Sequence, residues 1–370
     1  VKVDMDKLKK AEENQKKKDK KNYEGTHFST VKQIFINSSK EYADRTFLLE
    51  KFNPKGEWTE ITYNQFKNEV IGFGTALTRK LDLKDTRIII IGENTHHWYV
   101  SYMTMLCGAG IAVPVDKELP ENEIENVIKR AKASAVIFST KKADVIKKVA
   151  ENLPDVKYFI QMNSDHEING RFVGMDYLIE EGKALVNGGD NSFMGIDVNP
   201  DDFKVLIFTS GTTSNAKGVM LSYRNLAENV NAATAYVKLT PDDRLMSILP
   251  LHHTYESSIG FLLPFGIGAS ISVCQGLKHI VSDLQETKPT ALLTVPLLVE
   301  SLYRKINANI KKSKKEGLVN SMIHVTNALK AVGVDIKRKV FNEIYENLGG
   351  RIRIIVSAAA PIDAKIGKWV

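Results

Sequence analysis

The feature that most constrains this fold is an uninterrupted apolar run, Ile88 to Ile91, at the start of the segment 85–116. A Gly turn, a helical stretch, a Gly-rich turn and a second apolar run follow it in that order. A strand that is apolar at successive positions is buried on both faces, which is typical of parallel sheets. The segment therefore predicts a βαβ unit.

The alternation of strands and helices continues on both sides of this unit. A helix capped near Ser29 or Thr30 precedes a strand from about Thr46, and Thr62 caps a second helix. Farther along, the pattern predicts helices over 121–132 and 142–152, the strands "SAVIFST", "VKYFIQM" and "RIRIIVS", and a helix from Tyr223 capped by Ser222. We expect an α/β fold with mainly parallel sheets flanked by helices.

Residues 163–200 interrupt the pattern because they are polar and Gly-rich. They predict a loop-dominated connection with one short helix near Met175 to Glu181.

Composition excludes several classes of protein. Hydrophobic residues at 43% and charged residues at 26% indicate a folded globular chain. No apolar run approaches the roughly 18 residues of a membrane span. Cys107 and Cys274 lie too far apart in sequence to suggest a disulfide framework or a metal site. We expect both to be buried free thiols in a cytoplasmic protein.

The net charge of +7 is concentrated at the start of the chain. Residues 1–22 contain nine Lys against five Asp and Glu, which is a surplus of four positive charges. We interpret residues 1–25 as a basic, flexible end, and we expect no nucleic-acid partner.

The segment "KVLIFTSGTTSNAKGVMLSYRNL", residues 204–226, joins an apolar strand to a loop rich in hydroxyl groups. Backbone N–H groups and hydroxyls in such a loop can surround phosphate oxygens, and Lys217 adds a positive charge. The nucleoside-triphosphatase P-loop pattern does not fit, since Ala216 and Gly218 occupy positions that need Gly and Ser or Thr. A polar surface turn is the alternative. The candidate phosphate ligands are Thr209, Ser210, Gly211, Thr212, Thr213, Ser214 and Lys217.

The loop "TSGTTSNAKGV" resembles the signature of the adenylate-forming superfamily, [YF]-T-S-G-T-T-G-x-P-K-G, with Ser214 and Ala216 as departures. "WTEITYNQF", "LCGAGIAVPVD", "LPLHHTYE" and "VSAAAPI" resemble further motifs of this superfamily in the expected order. The "IGENTHHW" segment and the basic insertion before "LGGRIRIIVSAAAP" are similar to the long-chain fatty acyl-CoA synthetases. Aryl- or amino-acid-activating relatives, and a non-catalytic nucleotide-binding module, remain as alternatives.

The resemblance implies a reaction and roles for residues. A fatty acid and Mg-ATP give an acyl-adenylate, from which CoA takes the acyl group, so ATP, Mg²⁺, CoA and a fatty acid are the expected ligands. Lys217 and its loop would hold the β- and γ-phosphates, with Thr209 contacting Mg²⁺. His253 would position the substrate carboxylate, with a purely structural role as the alternative. The adenine pocket would be lined by Ala358, Ala359, Ala360 and Pro361.

Four further residues are expected to have structural roles. Glu256 is expected to pair with a nearby base. His96, His97 and Trp98 are expected to begin a helix and to pack, without forming a metal site.

The resemblance also implies a domain organisation. Residues 26–370 correspond to an incomplete N-terminal domain, with a switch between its subdomains near residues 200–225. The superfamily's magnesium Glu, ribose Asp and mobile C-terminal domain fall beyond Val370, so we expect this piece to be inactive alone. The basic segment Lys311 to Lys315 predicts either a solvated helix joint or peripheral contact with the inner face of a membrane. The oligomeric state is left open.

Overall fold

The predicted βαβ unit forms the centre of a parallel sheet. The computed structural model describes residues 27–53, 55–209, 217–312 and 336–363, together with 317, 319, 321–323, 325–326 and 366. Strand Arg87–Ile91 pairs in parallel with Ile111–Val115 on one side and with Ala135–Phe138 on the other. Ile88 to Ile91 are completely buried, as a strand covered on both faces requires.

The described strands, in chain order, are β1 Thr46–Glu50, β2 Thr59–Thr62, β3 Arg87–Ile91, β4 Ile111–Val115, β5 Ala135–Phe138, β6 Tyr158–Gln161, β7 Phe172–Gly174, β8 Phe203–Thr209, β9 Lys217–Ser222, β10 Arg244–Ser247, β11 Ser270–Val273, β12 Ala291–Thr294 and β13 Ile354–Ser357. The α-helices are α1 Val31–Glu41, α2 Tyr63–Thr75, α3 His96–Thr104, α4 Glu121–Ala131, α5 Ala143–Ala150, α6 Met175–Asn187, α7 Tyr223–Tyr236, α8 Leu263–Ile267, α9 Ile280–Thr287, α10 Pro296–Lys312, α11 Lys337–Val340 and α12 Asn342–Asn347. A π-helical segment, Glu256–Leu262, leads directly into α8.

The described strands form two sheets. The large sheet has seven strands in the order β7-β6-β5-β3-β4-β8-β9, and the small sheet has six in the order β13-β12-β10-β11-β1-β2. Both sheets are parallel except for one antiparallel edge pair in each, β8–β9 and β1–β2. The prediction of mainly parallel sheets flanked by helices is confirmed.

Alternate residues of strand β3 bury against different layers. Ile88 and Ile90 enter a central core that also contains residues of the small sheet, such as Leu245 and Ile271. Ile89 and Ile91 instead pack in a second core with helices α4 and α5. A third core lies between the outer face of the small sheet and α9. The order of layers is therefore helix, large sheet, helix, small sheet, helix.

Three predicted helix starts have the expected caps. The side chains of Thr30, Thr62 and Ser222 each accept a hydrogen bond from the backbone N–H three residues later, and each completes a capping box. Such a box satisfies two backbone donors that the first helical turn leaves without a partner.

The segment 163–200 is more regular than predicted. Strand β7 pairs in parallel with β6, and helix α6 continues to Asn187 instead of ending near Glu181. The reason is tertiary, because α6 packs closely against α2 through two glycines. A Cβ atom on Gly182 would lie 1.8 Å from the Gly72 carbonyl oxygen.

The two cysteines differ in burial. Cys107 is completely buried as predicted, but Cys274 is partly exposed, and its thiol donates to the Gly276 carbonyl over 3.4 Å.

The predicted flexible end, residues 1–25, lies outside the described residues. Among the described helices, none has the length and apolar content to cross a membrane.

Candidate functional site

The carboxyl ends of strands from both sheets meet at one place. Because β3, β4 and β8 are parallel neighbours, their carboxyl ends lie along one edge of the large sheet, where α/β proteins commonly bind ligands. Asn94 follows β3 and Asp116 follows β4. The small sheet contributes the turn 248–253 after β10, and the Asn94 amide donates to the Leu249 carbonyl in it over 2.7 Å.

The predicted phosphate loop is the connection of a β-hairpin. Thr209 ends β8 and lies opposite Lys217, the first residue of β9. The Thr209 hydroxyl donates to the Lys217 carbonyl over 3.4 Å, and both residues are exposed. Strand β9 was not predicted, and it separates the loop from helix α7. The remaining candidate ligands of this loop, Ser210, Gly211, Thr212, Thr213 and Ser214, lie outside the described residues.

The two adjacent histidines have different environments. His252 is half-buried, and its Nε2 lies 3.8 Å from Asp116 Oδ2. Burial, reinforced by the adjacent His253, lowers the pKa of His252 to about 4, so its ring is neutral at pH 7. The His253 ring lies 4.1 Å from the His252 ring between centroids, and His253 is exposed. His253 is therefore placed where it can contact a ligand.

Among the residues that the structure describes, Glu256 pairs with no base, contrary to the prediction. Its side chain is completely buried, and Oε1 accepts a hydrogen bond of 2.6 Å from the Ser247 hydroxyl. The other oxygen, Oε2, has no hydrogen-bond partner among the described residues. Burial raises the pKa of Glu256 to about 8, so the folded chain holds this carboxyl mainly protonated at neutral pH.

The candidate adenine turn follows strand β13. The Ala358 N–H donates to the Thr294 carbonyl over 3.2 Å, and the Tyr255 hydroxyl donates to the Val356 carbonyl over the same distance. Tyr255 therefore links this turn to the segment that contains His253. Ala359 has φ +75°, a conformation that favours Gly. Ala359, Ala360 and Pro361 are exposed, and Ala358 is partly buried.

The second histidine pair begins helix α3, two residues after Asn94. Helix α3 begins at His96 as predicted, and Trp98 is buried. His96 Nε2 contacts a carboxylate oxygen of Glu69, and His97 Nε2 lies 2.5 Å from Asp176 Oδ1. Within the described ranges, no group of three or more His, Cys, Asp or Glu side chains is arranged to hold a metal ion.

Asn94, Asp116 and Ser247 also belong to this site, although no sequence motif indicated them. Each of them ends a buried strand or lies within three residues of its end. That position is a usable signal, because ligands bind outside the carboxyl ends of parallel strands. The contacts of Asn94 with Ser247 and Leu249, however, join segments about 150 residues apart.

The chain is similar to known proteins in sequence and in structure. The model of the family described as "AMP-binding enzyme" matches residues 35–370. Long-chain-fatty-acid–CoA ligase 5 of Rattus norvegicus is 30% identical over 344 residues, which cover 86% of this chain and 50% of that protein. The chain spans about half the length of the curated relatives it matches.

Two solved structures have the same fold. A long-chain-fatty-acid–CoA ligase from Archaeoglobus fulgidus has a TM-score of 0.68 at 14% identity, covering 93% of this chain and 60% of that one. A didomain of carboxylic acid reductase from Segniliparus rugosus, solved in complex with AMP, has a TM-score of 0.71 at 17% identity, covering 92% and 50%.

Proposed function

Because this chain belongs to the family of AMP-binding enzymes, we propose that the protein containing it is a fatty acid–CoA ligase that uses ATP. In the first half-reaction a carboxylate oxygen forms a bond to the α-phosphorus of ATP, and the bond to pyrophosphate breaks. In the second, the CoA sulfur forms a bond to the acyl carbon and AMP leaves. The similarity to long-chain-fatty-acid–CoA ligases supports a long-chain acid as the substrate.

One observation carries the proposal: the turn with His252 and His253 lies against the same edge of the large sheet at which β8 ends. We call the hairpin of β8 and β9, with the candidate phosphate loop between them, the phosphate hairpin. In this arrangement a turn that would bind the acid lies beside a loop that would bind the triphosphate. Bringing the two reactants together in this way removes much of the entropy cost of a bimolecular step.

The roles that we propose for the phosphate hairpin follow from charge and exposure. Lys217 would contact the β- and γ-phosphates as a point charge, together with the loop of candidate ligands that follows Thr209. We propose that Mg²⁺ enters with ATP, since the described residues hold no cluster of metal ligands. The exposed Thr209 hydroxyl would supply one oxygen to it.

The roles that we propose near the acid and the adenine follow from position. His253 would orient the substrate carboxylate as a hydrogen-bond donor, and no base is needed because a carboxylic acid is already ionised at pH 7. The exposed turn with Ala358, Ala359, Ala360 and Pro361 would pack against the adenine ring.

The test uses the full-length protein and measures exchange of pyrophosphate into ATP with different acids. We expect exchange with palmitate, and no exchange with benzoate or with amino acids. Exchange with benzoate or an amino acid alone would assign the protein to another branch of the family. ATP binding without exchange for any acid would support a non-catalytic nucleotide-binding module.

A further inference from the structure

Asn94 connects the two sheets through all the hydrogen-bonding groups of its amide. Its Nδ2 donates to the Ser247 hydroxyl over 2.9 Å and to the Leu249 carbonyl over 2.7 Å. Its Oδ1 accepts from the Leu251 N–H over 3.1 Å. A side-chain amide has two donors on nitrogen and an acceptor oxygen, so these contacts use both of its ends. Neither a carboxylate nor an aliphatic side chain can make the same set.

These contacts fix the turn 248–253 that carries the histidine pair. Leu249 and Leu251 are held on either side of Pro250, whose carbonyl accepts from the His253 N–H over 3.1 Å. The His253 carbonyl in turn accepts from the Ser257 N–H over 3.0 Å at the start of the π-helical segment. The backbone of the turn is therefore held by Asn94 on one side and by the following helix on the other.

A second group of contacts, made by Ser247 and Glu256, supports the same turn. The Ser247 hydroxyl accepts from Asn94 and donates to Glu256, which lies in the first turn of the helix after His253. The Phe261 ring of that helix packs edge-on against Tyr99 of α3, with centroids 4.7 Å apart. The helix that follows Asn94 and the helix that follows His253 are thus packed together.

We propose that Asn94 is a positioning residue. It fixes the turn 248–253 of the small sheet, which would bind the acid, relative to the phosphate hairpin of the large sheet. This inference rests on the proposed function. Asn94 follows β3, and β3 is separated from β8 by the single strand β4. Because Asn94 fixes the turn at that edge, it determines the position of His253. The position of His253 in turn determines the distance between the bound carboxylate and the α-phosphorus. Its contribution belongs to adenylate formation, because thioester formation starts from an acyl-adenylate that is already bound.

The test separates the two half-reactions in the full-length protein. Asn94→Ala and Asn94→Asp are each assayed for palmitate-dependent pyrophosphate exchange and, separately, for thioester formation from synthetic palmitoyl-AMP and CoA. We expect pyrophosphate exchange to fall about 10- to 100-fold in both variants, because the two reactants would no longer be held in the productive geometry. Thioester formation is expected to stay within about threefold of the parent. The Asp variant is expected to be no better than the Ala variant, because it lacks both donors.

Asn231 offers a matched control. Its Nδ2 donates to the Phe28 carbonyl over 2.8 Å, so it also joins segments about 200 residues apart, but away from the turn. Asn231→Ala is expected to lower thermal stability and to leave the ratio of the two half-reactions unchanged. If the Asn94 variants lower both half-reactions by the same factor, the role is only structural and the proposal is wrong. Unchanged pyrophosphate exchange would also overturn it.

A measurement independent of activity keeps the two proposals apart. Hydrogen–deuterium exchange is followed at the Leu251 amide in the full-length protein. We expect faster exchange in Asn94→Ala and in the milder variant Ser247→Ala, and no change at this amide in Asn231→Ala. Absence of adenylation in the parent with every acid would reject the proposed function. Unchanged exchange at Leu251 would reject the role of Asn94.

Discussion

Thr209 and Lys217 lie directly opposite each other across the antiparallel pair β8–β9, and the Thr209 hydroxyl donates to the Lys217 carbonyl. The pair closes the base of the candidate phosphate loop. Lys217 therefore belongs to strand β9. The ladder of hydrogen bonds with β8, on one side of β9, fixes the position of the Lys217 backbone. The backbone of this cationic residue is therefore held by the sheet.

Lys217→Ala in the full-length protein is expected to impair the use of ATP. A charge-assisted contact contributes roughly 1.5–3 kcal/mol, which corresponds to a decrease of about 10- to 150-fold in kcat/KM for ATP. The Kd for palmitate should stay within about twofold. Lys157→Ala, at an exposed lysine before β6, serves as the control and should change neither constant. A matching loss of palmitate binding in Lys217→Ala would contradict the assignment.

Ala359→Gly is expected to stabilise the protein. Ala359 has φ +75°, and the left-handed conformation costs a residue with a Cβ roughly 1–2 kcal/mol. Part of this gain is offset by the greater freedom of Gly in the unfolded chain, so we expect a net increase of about 0.5–1 kcal/mol in the free energy of unfolding. Denaturation with urea measures it. Ala360→Gly lacks this benefit, since Ala360 does not have positive φ, and an equal gain there would argue against strain at Ala359.

The low pKa of Asp243 predicts that the fold loses stability in acid. Burial acts to raise its pKa, but hydrogen bonds from Arg353, Thr290 and Thr240 outweigh burial and lower the pKa from 3.8 to about 2. A carboxyl with a depressed folded pKa stabilises the fold above its unfolded pKa. This contribution, about 2 kcal/mol, is lost as pH falls from about 4 towards 2.

The Asp243→Asn variant tests this by unfolding at a series of pH values. Its free energy of unfolding should change less than that of the parent between pH 4 and 2. Asp242→Asn is the control, because Asp242 is exposed and pairs with Arg45 at the surface. Identical acid profiles for Asp243→Asn and the parent would be inconsistent with the prediction.

The raised pKa of Glu256 predicts that the stability of the fold depends on pH in the opposite direction. Burial raises its pKa from 4.5 to about 8, so the folded state keeps a proton that the unfolded state releases. Stability therefore falls as pH rises between about 4.5 and 8, by at most about 1.4 kcal/mol per pH unit. Gln cannot ionise, so the advantage of Glu256→Gln in the free energy of unfolding should grow from pH 5 to pH 8. Glu57→Gln, at an exposed position, should show no such trend. A constant difference for Glu256→Gln would refute the prediction.

The basic segment Lys311 to Lys315 is expected to be dispensable for adenylation. Lys311 and Lys312 end helix α10 and are exposed, and residues 313–315 lie outside the described residues. Replacing the four lysines with Gln in the full-length protein should leave pyrophosphate exchange within about twofold. Flotation with anionic liposomes examines the alternative role, because each basic residue near such a surface contributes about 1 kcal/mol. Flotation that the replacement abolishes would show that the segment docks on membranes.

The amino-acid sequence by itself determined the local elements of this protein. The caps at Thr30, Thr62 and Ser222 depend on side chains three residues apart, and the strand Ile88 to Ile91 depends on continuous apolar character. The family also follows from the sequence, because its motifs are short and contiguous. These features require no knowledge of what lies across the fold.

Tertiary structure alone decided the order of the strands, the existence of β7 and β9, and the contacts of the candidate site. Strand β7 has only three residues, and β6 provides its partner groups. Nothing near Glu256 in sequence indicates that it will be buried beside Ser247, or that Asn94 will reach both Ser247 and Leu251. The physical reason is that periodicity and capping encode interactions within a few residues. Hydrogen bonds between segments about 150 residues apart arise only when two packed sheets bring their strand ends together.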